Sequence, residues 1–335
     1  MSGALDSLSG RERAALRRAS QPRRLEPMKA RLTDERFSDP DWIFERKLDG
    51  VRCLAFRTPG TVHLRSRTDH LLDRSYPELV ESLAKQDCED FVADGEIVAF
   101  AGRLTSFSRL QGWMQIDDPE KARRSGIAVY LYLFDVLHLD GHDTTALPVR
   151  ARKRLLARAL AFDDPVRRLP HRVREGEALF AEACKRGLEG LIAKRADAPY
   201  RPGARTGDWL KFKCSREQEL VIGGFTAPKG SRSDFGALLV GYNEDGALRY
   251  AGKVGTGFDR ETLGRLGARL RDLERDRSPF ADVPPVPTGT RWVEPKLVGQ
   301  FAFSEWTRDG RLRHPRYLGL RDDKRPSEVV RERPS

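Results

Sequence analysis

The sequence predicts an α+β protein with two domains, on three observations. The chain has 335 residues, which is more than a single hydrophobic core usually serves. Short apolar runs rich in β-branched residues, bounded by Gly, Pro or Asp-Gly turns, predict antiparallel strands. Amphipathic helices fall between these strands without the regular strand–helix alternation of a doubly wound fold. We therefore expect antiparallel sheets with helices packed against them.

The composition is that of a globular protein, with 33% charged and 39% hydrophobic residues. No apolar run approaches the ~20 residues that span a bilayer, and the first 24 residues lack the apolar stretch of a secretory signal. We expect a cytoplasmic protein with no membrane partner. The net charge of +11 favours a polyanionic partner, nucleic acid first, although solvated arginine faces give the same balance.

The four cysteines are widely separated and form no C-x-x-C pair; they are Cys53, Cys88, Cys184 and Cys214. A zinc site and a disulfide framework are therefore not expected. Four separate thiols suit a reducing compartment.

The elements of the first domain can be taken in chain order. Residues 1–24 hold six arginines and two acids with little apolar periodicity, so we expect a basic, mobile tail outside the fold. Residues 42–57 and the following TVHLRSR predict a hairpin around the Thr-Pro-Gly turn at 58–60. SYPELVESLAK predicts a helix. FVADGEIVAF predicts two strands joined by an Asp-Gly turn, and IAVYLYLFDVLHLDG predicts a central strand that ends at Asp140-Gly141.

The rest of this domain consists of two helices followed by two short strands. ARKRLLARALA and GEALFAEACKRG predict amphipathic helices, the second closed by Gly187. GLIAKRA and WLKFK predict two further strands. After these strands the pattern changes to strands punctuated by glycine turns, with one helix near 261–275, which is typical of an OB-type barrel. We expect domains at 25–215 and 216–335, with the proline-rich 279–287 as a loop in the second.

Lys47 lies in a segment that otherwise predicts a buried strand, in the stretch FERKLDGVRC. A lysine in an apolar cleft loses hydration, which lowers its pKa, and Arg46 and Arg52 would lower it further if their side chains turned inward. A neutral amine is a nucleophile, so this position suits covalent catalysis. Asp49 could orient the amine or hold a metal. The alternative is a surface lysine on an edge strand before a Leu-Asp-Gly turn.

Other polar residues are also embedded in apolar strands, where burial without a partner is costly. They comprise two carboxylates and three lysines, Glu96, Glu189, Lys194, Lys211 and Lys213, and the aromatic ring of Phe134 lies in the same group of strands. Each has an alternative structural explanation taken alone. Together they suit a nucleotide, because cations bind phosphates, an acid binds ribose hydroxyls or a metal, and a ring stacks on the base.

The ordered set KLDG (47–50), DGE (94–96), EGLIAK (189–194) and WLKFK (209–213) resembles the motifs of the covalent nucleotidyltransferases. This superfamily includes ATP-dependent DNA ligases, RNA ligases and mRNA capping enzymes. The flanking sequence over about residues 25–330 is most similar to the ligase domain of bacterial end-joining (LigD-type) ligases. The resemblance implies an adenylation (nucleotidyltransferase) domain followed by an OB-fold domain.

The resemblance also implies an activity in three steps. Lys47 would attack the α-phosphate of ATP, forming lysyl-AMP and releasing pyrophosphate. AMP would pass to the 5′-phosphate at a nick in double-stranded DNA, and the 3′-OH would then displace it. Asp49 would orient the lysine or leaving oxygens, and Lys211 and Lys213 would hold the α-phosphate throughout.

The resemblance implies these further positions around the nucleotide: Glu45 beside adenine, Arg52 and Arg67 at ribose and the 5′-phosphate of the nick, Glu96 at the ribose hydroxyl, Phe134 stacked on the base, Lys194 close to the nucleotide, and Arg321 and Lys324 orienting pyrophosphate. Glu189, with Glu96, would lie at a Mg²⁺ or Mn²⁺ ion, the metals that carboxylate and phosphate oxygens favour. A Ku-like end-binding partner in repair or end joining, nucleoid association and a monomeric enzyme are also implied.

Two alternatives stay open at this point. An RNA ligase or a capping-type guanylyltransferase would share the motifs, but the text around Lys47 and the RDDK sequence at 321–324 favour a DNA ligase. A non-catalytic nucleic-acid-binding protein on the same fold would not need this embedded polar set. Self-adenylation distinguishes the last alternative from the enzymes.

Overall fold

The computed structural model describes residues 3–114, 120, 124, 126–228, 233–282 and 286–333. The chain forms two compact units with the boundary between Cys214 and Ser215. In the first unit the helices are α1 Gly10–Ala15, α2 Pro77–Ala84, α3 Phe107–Met114, α4 Val149–Ala159 and α5 Gly176–Lys185. Its strands are β1 Arg17–Arg18, β2 Lys29–Leu32, β3 Trp42–Lys47, β4 Val51–Thr58, β5 Thr61–Ser66, β6 Phe91–Ala101, β7 Leu104–Thr105, β8 Val129–Leu139, β9 His142–Asp143, β10 Val166–Arg168, β11 His171–Val173, β12 Gly190–Arg195 and β13 Arg205–Lys213.

These strands form two sheets, which confirms the predicted α+β class. The first has the order β1-β9-β8-β6-β4-β5, with β10 beside β8 and β7 beside β6; the second has the order β11-β3-β12-β13-β2. Most neighbours are antiparallel, and β10–β8 and β13–β2 are parallel. Among the described residues, no helix is both long and apolar enough to cross a lipid bilayer.

Side-chain alternation gives the second sheet two different faces. Phe44, Leu191 and Phe212 pack with Leu179 and Ala183 of α5 in one apolar cluster. The residues between them in sequence therefore project to the opposite face, which carries the lysines of the predicted motifs.

The first sheet has a corresponding apolar cluster on the side away from its main core. Leu54, Val92 and Phe134 of β4, β6 and β8 pack there with Met28 and Trp209. Because Trp209 belongs to β13 of the second sheet, this cluster joins the facing sides of the two sheets.

The predicted turn at Asp94-Gly95 is wrong, because β6 runs unbroken from Phe91 to Ala101. A Cβ atom on Gly95 would lie 2.7 Å from the carbonyl oxygen of Tyr132 on the neighbouring strand. The pairing of β6 with β8 also shifts register between Asp94 and Gly95. Glycine is therefore needed here because the two strands approach closely at a β-bulge, and not because the chain turns.

The predicted hairpin and strand end are confirmed. β4 and β5 pair antiparallel up to Thr58 and Thr61. β8 ends at Leu139, and Asp140 and Gly141 follow with positive φ angles of 46° and 73°. α5 is closed by Gly187, whose φ is 72°.

The expectation that residues 1–24 lie outside the fold is wrong for the described part of this segment. Ala4 and Leu8 are buried in the main core of the first unit. β1 pairs antiparallel with β9. The side chain of Gln21 donates hydrogen bonds to the Arg57 carbonyl and to Asp90.

The expectation of four separate thiols is also wrong. Cys184, on α5, and Cys214, directly after β13, form a disulfide across 30 residues of sequence. Cys53 and Cys88 are free and buried. Tertiary proximity, which sequence spacing does not report, brings the bonded pair together.

The described residues of the second unit form strands with one α-helix and a short 3-10 helix at Pro326–Glu328, in the OB-type architecture that was predicted. Its elements are β14 Glu217–Phe225, β15 Leu238–Glu244, β16 Ala247–Val254, α6 Arg260–Arg271, β17 Glu274–Arg275, β18 Arg291–Ala302, β19 Glu305–Trp306, β20 Leu312–Arg313 and β21 Arg316–Leu320. The main sheet has the order β16-β15-β14-β18-β17, with β21 also paired to β18. Asp259 begins α6 by accepting a hydrogen bond from the Thr262 amide.

Candidate active site

The second sheet brings the predicted lysines together on one face. Lys47 is opposite Gly190, which is opposite Lys213, and Ile192 is likewise opposite Lys211. Residues paired directly across neighbouring strands project to the same side of a sheet. Lys47, Lys211 and Lys213 therefore share the face that is turned away from α5.

Lys47 is held by carboxylates rather than crowded by cations. Its Nζ lies 2.5 Å from Glu189 Oε1. Burial alone would lower the pKa of Lys47, but Glu189, with further contributions from Glu96 and Asp49, raises that pKa above its ordinary value. The expectation of a lowered pKa is wrong for this arrangement, since Arg46 is exposed and Arg52 is bound to a carboxylate of its own.

Asp49 and Gly50 fix the backbone beyond Lys47. The Phe107 amide at the start of α3 donates a hydrogen bond of 3.1 Å to Asp49 Oδ2, and the Asp49 amide donates to Thr105 Oγ1. A Cβ atom on Gly50 would lie 2.1 Å from the Ile97 carbonyl oxygen. Only glycine fits where the chain turns from β3 into β4 against β6.

The predicted metal residues, Glu96 and Glu189, both act electrostatically on Lys47. Glu189 Oε2 is buried and has no hydrogen-bond partner among the described residues. An unsatisfied buried carboxylate oxygen fits a cation ligand. In the described part of the chain, no group of three or more His, Cys, Asp or Glu residues forms a metal cage. A site with few protein carboxylates suits Mg²⁺, which usually keeps waters and binds substrate phosphates.

Arg52 is fixed by Asp94, a residue to which sequence analysis gave no role. Arg52 Nε and Nη2 each lie 2.6 Å from an oxygen of Asp94, which is fully buried. The Tyr200 hydroxyl donates a 2.7 Å hydrogen bond to the same carboxylate. This bidentate pair holds the guanidinium 4.8 Å from the ring centre of Phe134.

Two cations, Arg52 and Lys194, lie close to the ring of Phe134. Lys194 Nζ is 4.3 Å from its ring centre and 4.1 Å from that of Trp209, which contacts Phe134 edge-on. Trp209 was not predicted as a site residue, although it stands in the WLKFK motif.

Glu45 is shared by two buried lysines. Its side chain is 1% exposed; one oxygen is bound by Lys153 and the other lies 2.8 Å from Lys194 Nζ. Burial would raise the pKa of Glu45, but the two lysines outweigh that effect and lower it. Burial, with the charge of Lys153, lowers the pKa of Lys194 to about 8.

Sequence analysis missed Lys153, which it placed in an amphipathic helix without a role. Lys153 follows Val149 by four positions and precedes Leu156 by three, so it lies on the apolar face of α4. Its Nζ also donates a 3.1 Å hydrogen bond to the Phe134 carbonyl oxygen. The sequence did contain a signal for a buried, functional lysine, because Lys153 occupies a position that the helical pattern gives to apolar residues.

The remaining predicted residues are Arg67 in the first unit and Arg321 and Lys324 in the second. Arg67 directly follows β5 at an edge strand of the first sheet. In the second unit, Arg321 forms a bidentate pair with Asp323 at 2.8 Å, and Lys324 Nζ lies 3.1 Å from Glu219. Both cations are thus balanced by acids of their own unit.

Comparison with known proteins identifies two family models along the chain. Residues 27–213 match the ATP-dependent DNA ligase domain, and residues 231–324 match the ATP-dependent DNA ligase C-terminal region. The chain is 40% identical over 301 residues to the multifunctional non-homologous end joining DNA repair protein LigD of Mycobacterium tuberculosis, which covers 87% of this chain and 37% of that protein. It is 38% identical over 304 residues to LigD of Pseudomonas aeruginosa, covering 88% and 35%.

A solved structure is also similar. A mycobacterial DNA ligase D complexed with ATP and MES matches with a TM-score of 0.65 and 37% identity, covering 92% of this chain and 98% of that chain. The present chain spans a little over a third of the length of the LigD proteins it matches.

Proposed function

This chain belongs to the ATP-dependent DNA ligase family, and we propose that it seals 5′-phosphate/3′-OH nicks in double-stranded DNA. One observation carries the proposal: Lys47 is ion-paired with Glu189 on a sheet face that also bears Lys211 and Lys213. A lysine nucleophile, an adjoining carboxylate and two phosphate-binding cations are the groups that adenylate transfer requires.

In the first step Lys47 Nζ attacks the α-phosphorus of ATP. A nitrogen–phosphorus bond forms, the bond from the α-phosphorus to the bridging oxygen breaks, and pyrophosphate leaves with the electron pair of that bond. Lys211 and Lys213 balance the charge on the α-phosphate oxygens. We assign them to all three steps, because the same phosphate reacts each time.

The amine must lose a proton before it attacks, and the raised pKa of Lys47 opposes that loss. Glu189 Oε1, at 2.5 Å from Nζ, is placed to take this proton. Asp49, fixed by the α3 amide, keeps the backbone of the nucleophile in register. A Mg²⁺ or Mn²⁺ ion bound at Glu189, with Glu96 nearby, would supply positive charge beside the phosphates and the amine.

In the second and third steps AMP passes to the 5′-phosphate of the nick, and the 3′-OH then displaces it to form the phosphodiester. We assign Glu96 and Arg52 to the ribose, Phe134 and Glu45 to the base, Lys194 to the nucleotide and Arg67 to the 5′-phosphate of the nick. Arg321 and Lys324 would orient pyrophosphate once released from Asp323 and Glu219.

The names of the relatives support a proposal for the biological setting. LigD proteins are named for non-homologous end joining, so we propose a role in DNA repair or end joining with a Ku-like end-binding partner. The net charge of +11 suits a DNA partner and association with the nucleoid. A monomer provides every residue named in this mechanism.

The testing experiment measures the intact mass of the protein after incubation with ATP and Mg²⁺ or Mn²⁺. We expect a gain of one AMP in the wild type and none in Lys47→Ala. Arg46→Ala, a loss of positive charge at the adjoining exposed position, serves as the matched control and should keep the adduct. Nicked DNA, added after ATP is removed, should discharge the AMP and yield sealed product.

The alternatives give different outcomes in the same experiment. An adduct that persists in Lys47→Ala would mean another nucleophile. A GMP adduct would indicate a capping-type enzyme, and discharge by nicked RNA but not nicked DNA an RNA ligase. Folded, AMP-free protein that forms no adduct with any nucleotide or metal would indicate a non-catalytic binding protein.

A further inference from the structure

A cavity of about 320 Å³ lies in the first unit, apart from the residues assigned above to the nucleotide. It opens between α4 and the strands β3, β10 and β11. Its lining combines apolar side chains with five basic ones: Pro40, Ile43, Arg150, Lys153, Arg154, Ala157, Arg168, His171, Val173 and Ala196. None of these lining residues is acidic.

The acids nearby do not balance this charge. Lys153 must share Glu45 with Lys194, and Arg154 is bound by Glu12 at 2.7 Å. Arg150 reaches Asp41 only at 3.8 Å, with both side chains at least half exposed, so solvent screens that pair.

Arg168 forms no ion pair with any residue in the described part of the chain. The cavity lining therefore carries positive charge that no nearby acid compensates: all of the charge of Arg168 and most of that of Arg150. These two guanidinium groups provide planar donor sets of the kind that bind phosphate oxygens.

The pKa of His171 responds to the same excess of positive charge in the cavity. Burial lowers its pKa, and the charges of Lys153, Arg168 and Lys194 lower it further against the opposing effect of Glu45. The imidazole is therefore neutral at neutral pH, in a cavity that disfavours further positive charge. An anion bound beside it would reverse this effect and raise the His171 pKa.

We propose that this cavity is a second anion site, which binds a small phosphate-bearing molecule. The volume is at the lower end of small-molecule sites and is far too small for a DNA duplex. Two guanidinium groups and an imidazole supply hydrogen-bond donors, while Ile43, Val173 and the stem of Lys153 provide an apolar wall. Pyrophosphate is a suitable probe, because it matches the charge and size of the site.

Lys153 connects the cavity with the nucleotide site. It lines the cavity, yet its amine binds Glu45 and the Phe134 carbonyl oxygen. An anion in the cavity would attract Lys153 and loosen its hold on Glu45, leaving Lys194 as that carboxylate's main partner. This link to ATP binding rests on the proposed function, whereas the anion site itself does not.

The test uses the whole protein without ATP or metal, so its result is independent of ligase activity. Pyrophosphate is titrated while binding is measured by calorimetry and the His171 ring signal is followed by NMR. We expect saturable binding and a raised His171 pKa. Arg168→Gln should weaken binding about tenfold, since a charge-assisted hydrogen bond is lost. Arg158→Gln, an equal charge loss at an exposed position of α4 outside the cavity, should leave affinity unchanged.

Three results would overturn the proposal. Equal weakening by both substitutions would mean diffuse attraction to a basic surface. Binding that survives Arg168→Gln but is lost in Lys213→Ala, with no change at His171, would place pyrophosphate in the nucleotide site. A His171 signal that shifts with nicked DNA but not with pyrophosphate would make the cavity edge a DNA contact.

Discussion

Lys47 and Lys194 project from neighbouring strands onto the same face of one sheet, but their surroundings have opposite charge balance. At the carboxylate end, defined by Lys47, Asp49, Glu96 and Glu189, one amine faces three acids. At the cation end, defined by Glu45, Lys153 and Lys194, two amines share one acid. Burial lowers the pKa of both strand lysines, yet that of Lys47 is raised and that of Lys194 falls to about 8. Burial acts in the same direction on both lysines, so the balance of nearby acids and cations decides why the two pKa values move in opposite directions.

The largest predicted effect comes from neutralising the shared acid of the cation end. Glu45→Gln removes the carboxylate with which buried Lys153 and Lys194 form ion pairs and should lower the free energy of unfolding by about 4 kcal/mol. Denaturant unfolding measures this change. Glu35→Gln, at an exposed position, should have no effect. Adding Lys153→Met to Glu45→Gln should restore part of the loss, and failure to restore any would mean that charge balance is not the cause.

The disulfide bears on the comparison, because Cys214 is hydrogen-bonded to the backbone of Glu189 at the carboxylate end. The Cys214 amide donates a 3.0 Å hydrogen bond to the Glu189 carbonyl oxygen. Replacing Cys184 and Cys214 by serine should lower the free energy of unfolding by about 3.5 kcal/mol for a 30-residue closure. Denaturant unfolding with and without reductant measures the effect. Reductant should destabilise the wild type only; an unchanged wild type would contradict the disulfide's role.

Glu189→Gln should lower the pKa of Lys47 and so make the carboxylate end more like the cation end. With its nearest carboxylate gone, Lys47 should lose its proton at lower pH than in the wild type, which NMR titration of the lysine side chain measures. Transfer of AMP to Lys47 should nevertheless slow about 10²-fold, because the proton acceptor and metal contact are both removed. Glu182→Gln on α5 is the matched control. An unchanged Lys47 pKa would contradict our account of its surroundings.

The smallest effect, taken over one pH unit, is a pH dependence of stability from Lys194. Its folded pKa of about 8 lies below its ordinary value of 10.5, so between these values the unfolded chain binds more protons than the folded one. Stability should therefore rise with pH across this window, by up to about 1.4 kcal/mol per pH unit. Comparing unfolding curves of the wild type and Lys194→Met isolates the effect; identical slopes would contradict it.

Sequence patterns predicted most of the elements, and strand alternation places three of the proposed site residues, Lys47, Lys211 and Lys213, on one sheet face. They failed where the answer depended on a neighbour distant in sequence. Asp94-Gly95 has the composition of a turn, but the close approach of Tyr132 makes it part of a strand. The charge state of Lys47 depends on Glu189, which is brought to it by the β3–β12 pairing.

The residues that sequence analysis missed share this cause. Asp94, Lys153 and Trp209 act through partners on other elements, and nothing in their local sequence names those partners. The disulfide likewise depends on α5 and β13 lying side by side. Local patterns specify which face a residue occupies, whereas ion pairs and covalent bonds require the packed fold.

The pairing of β1 with β9 has a practical consequence for anyone handling the protein. β1 closes one edge of the first sheet, while Ala4 and Leu8 cover part of its core. A shortened chain that starts at residue 25, close to where the ligase-domain match begins, would expose an unpaired strand edge beside bare apolar surface. Such a variant should self-associate in solution. Precipitation of this truncated chain would then result from the exposed sheet edge and apolar surface, and not from an inherently unstable ligase domain.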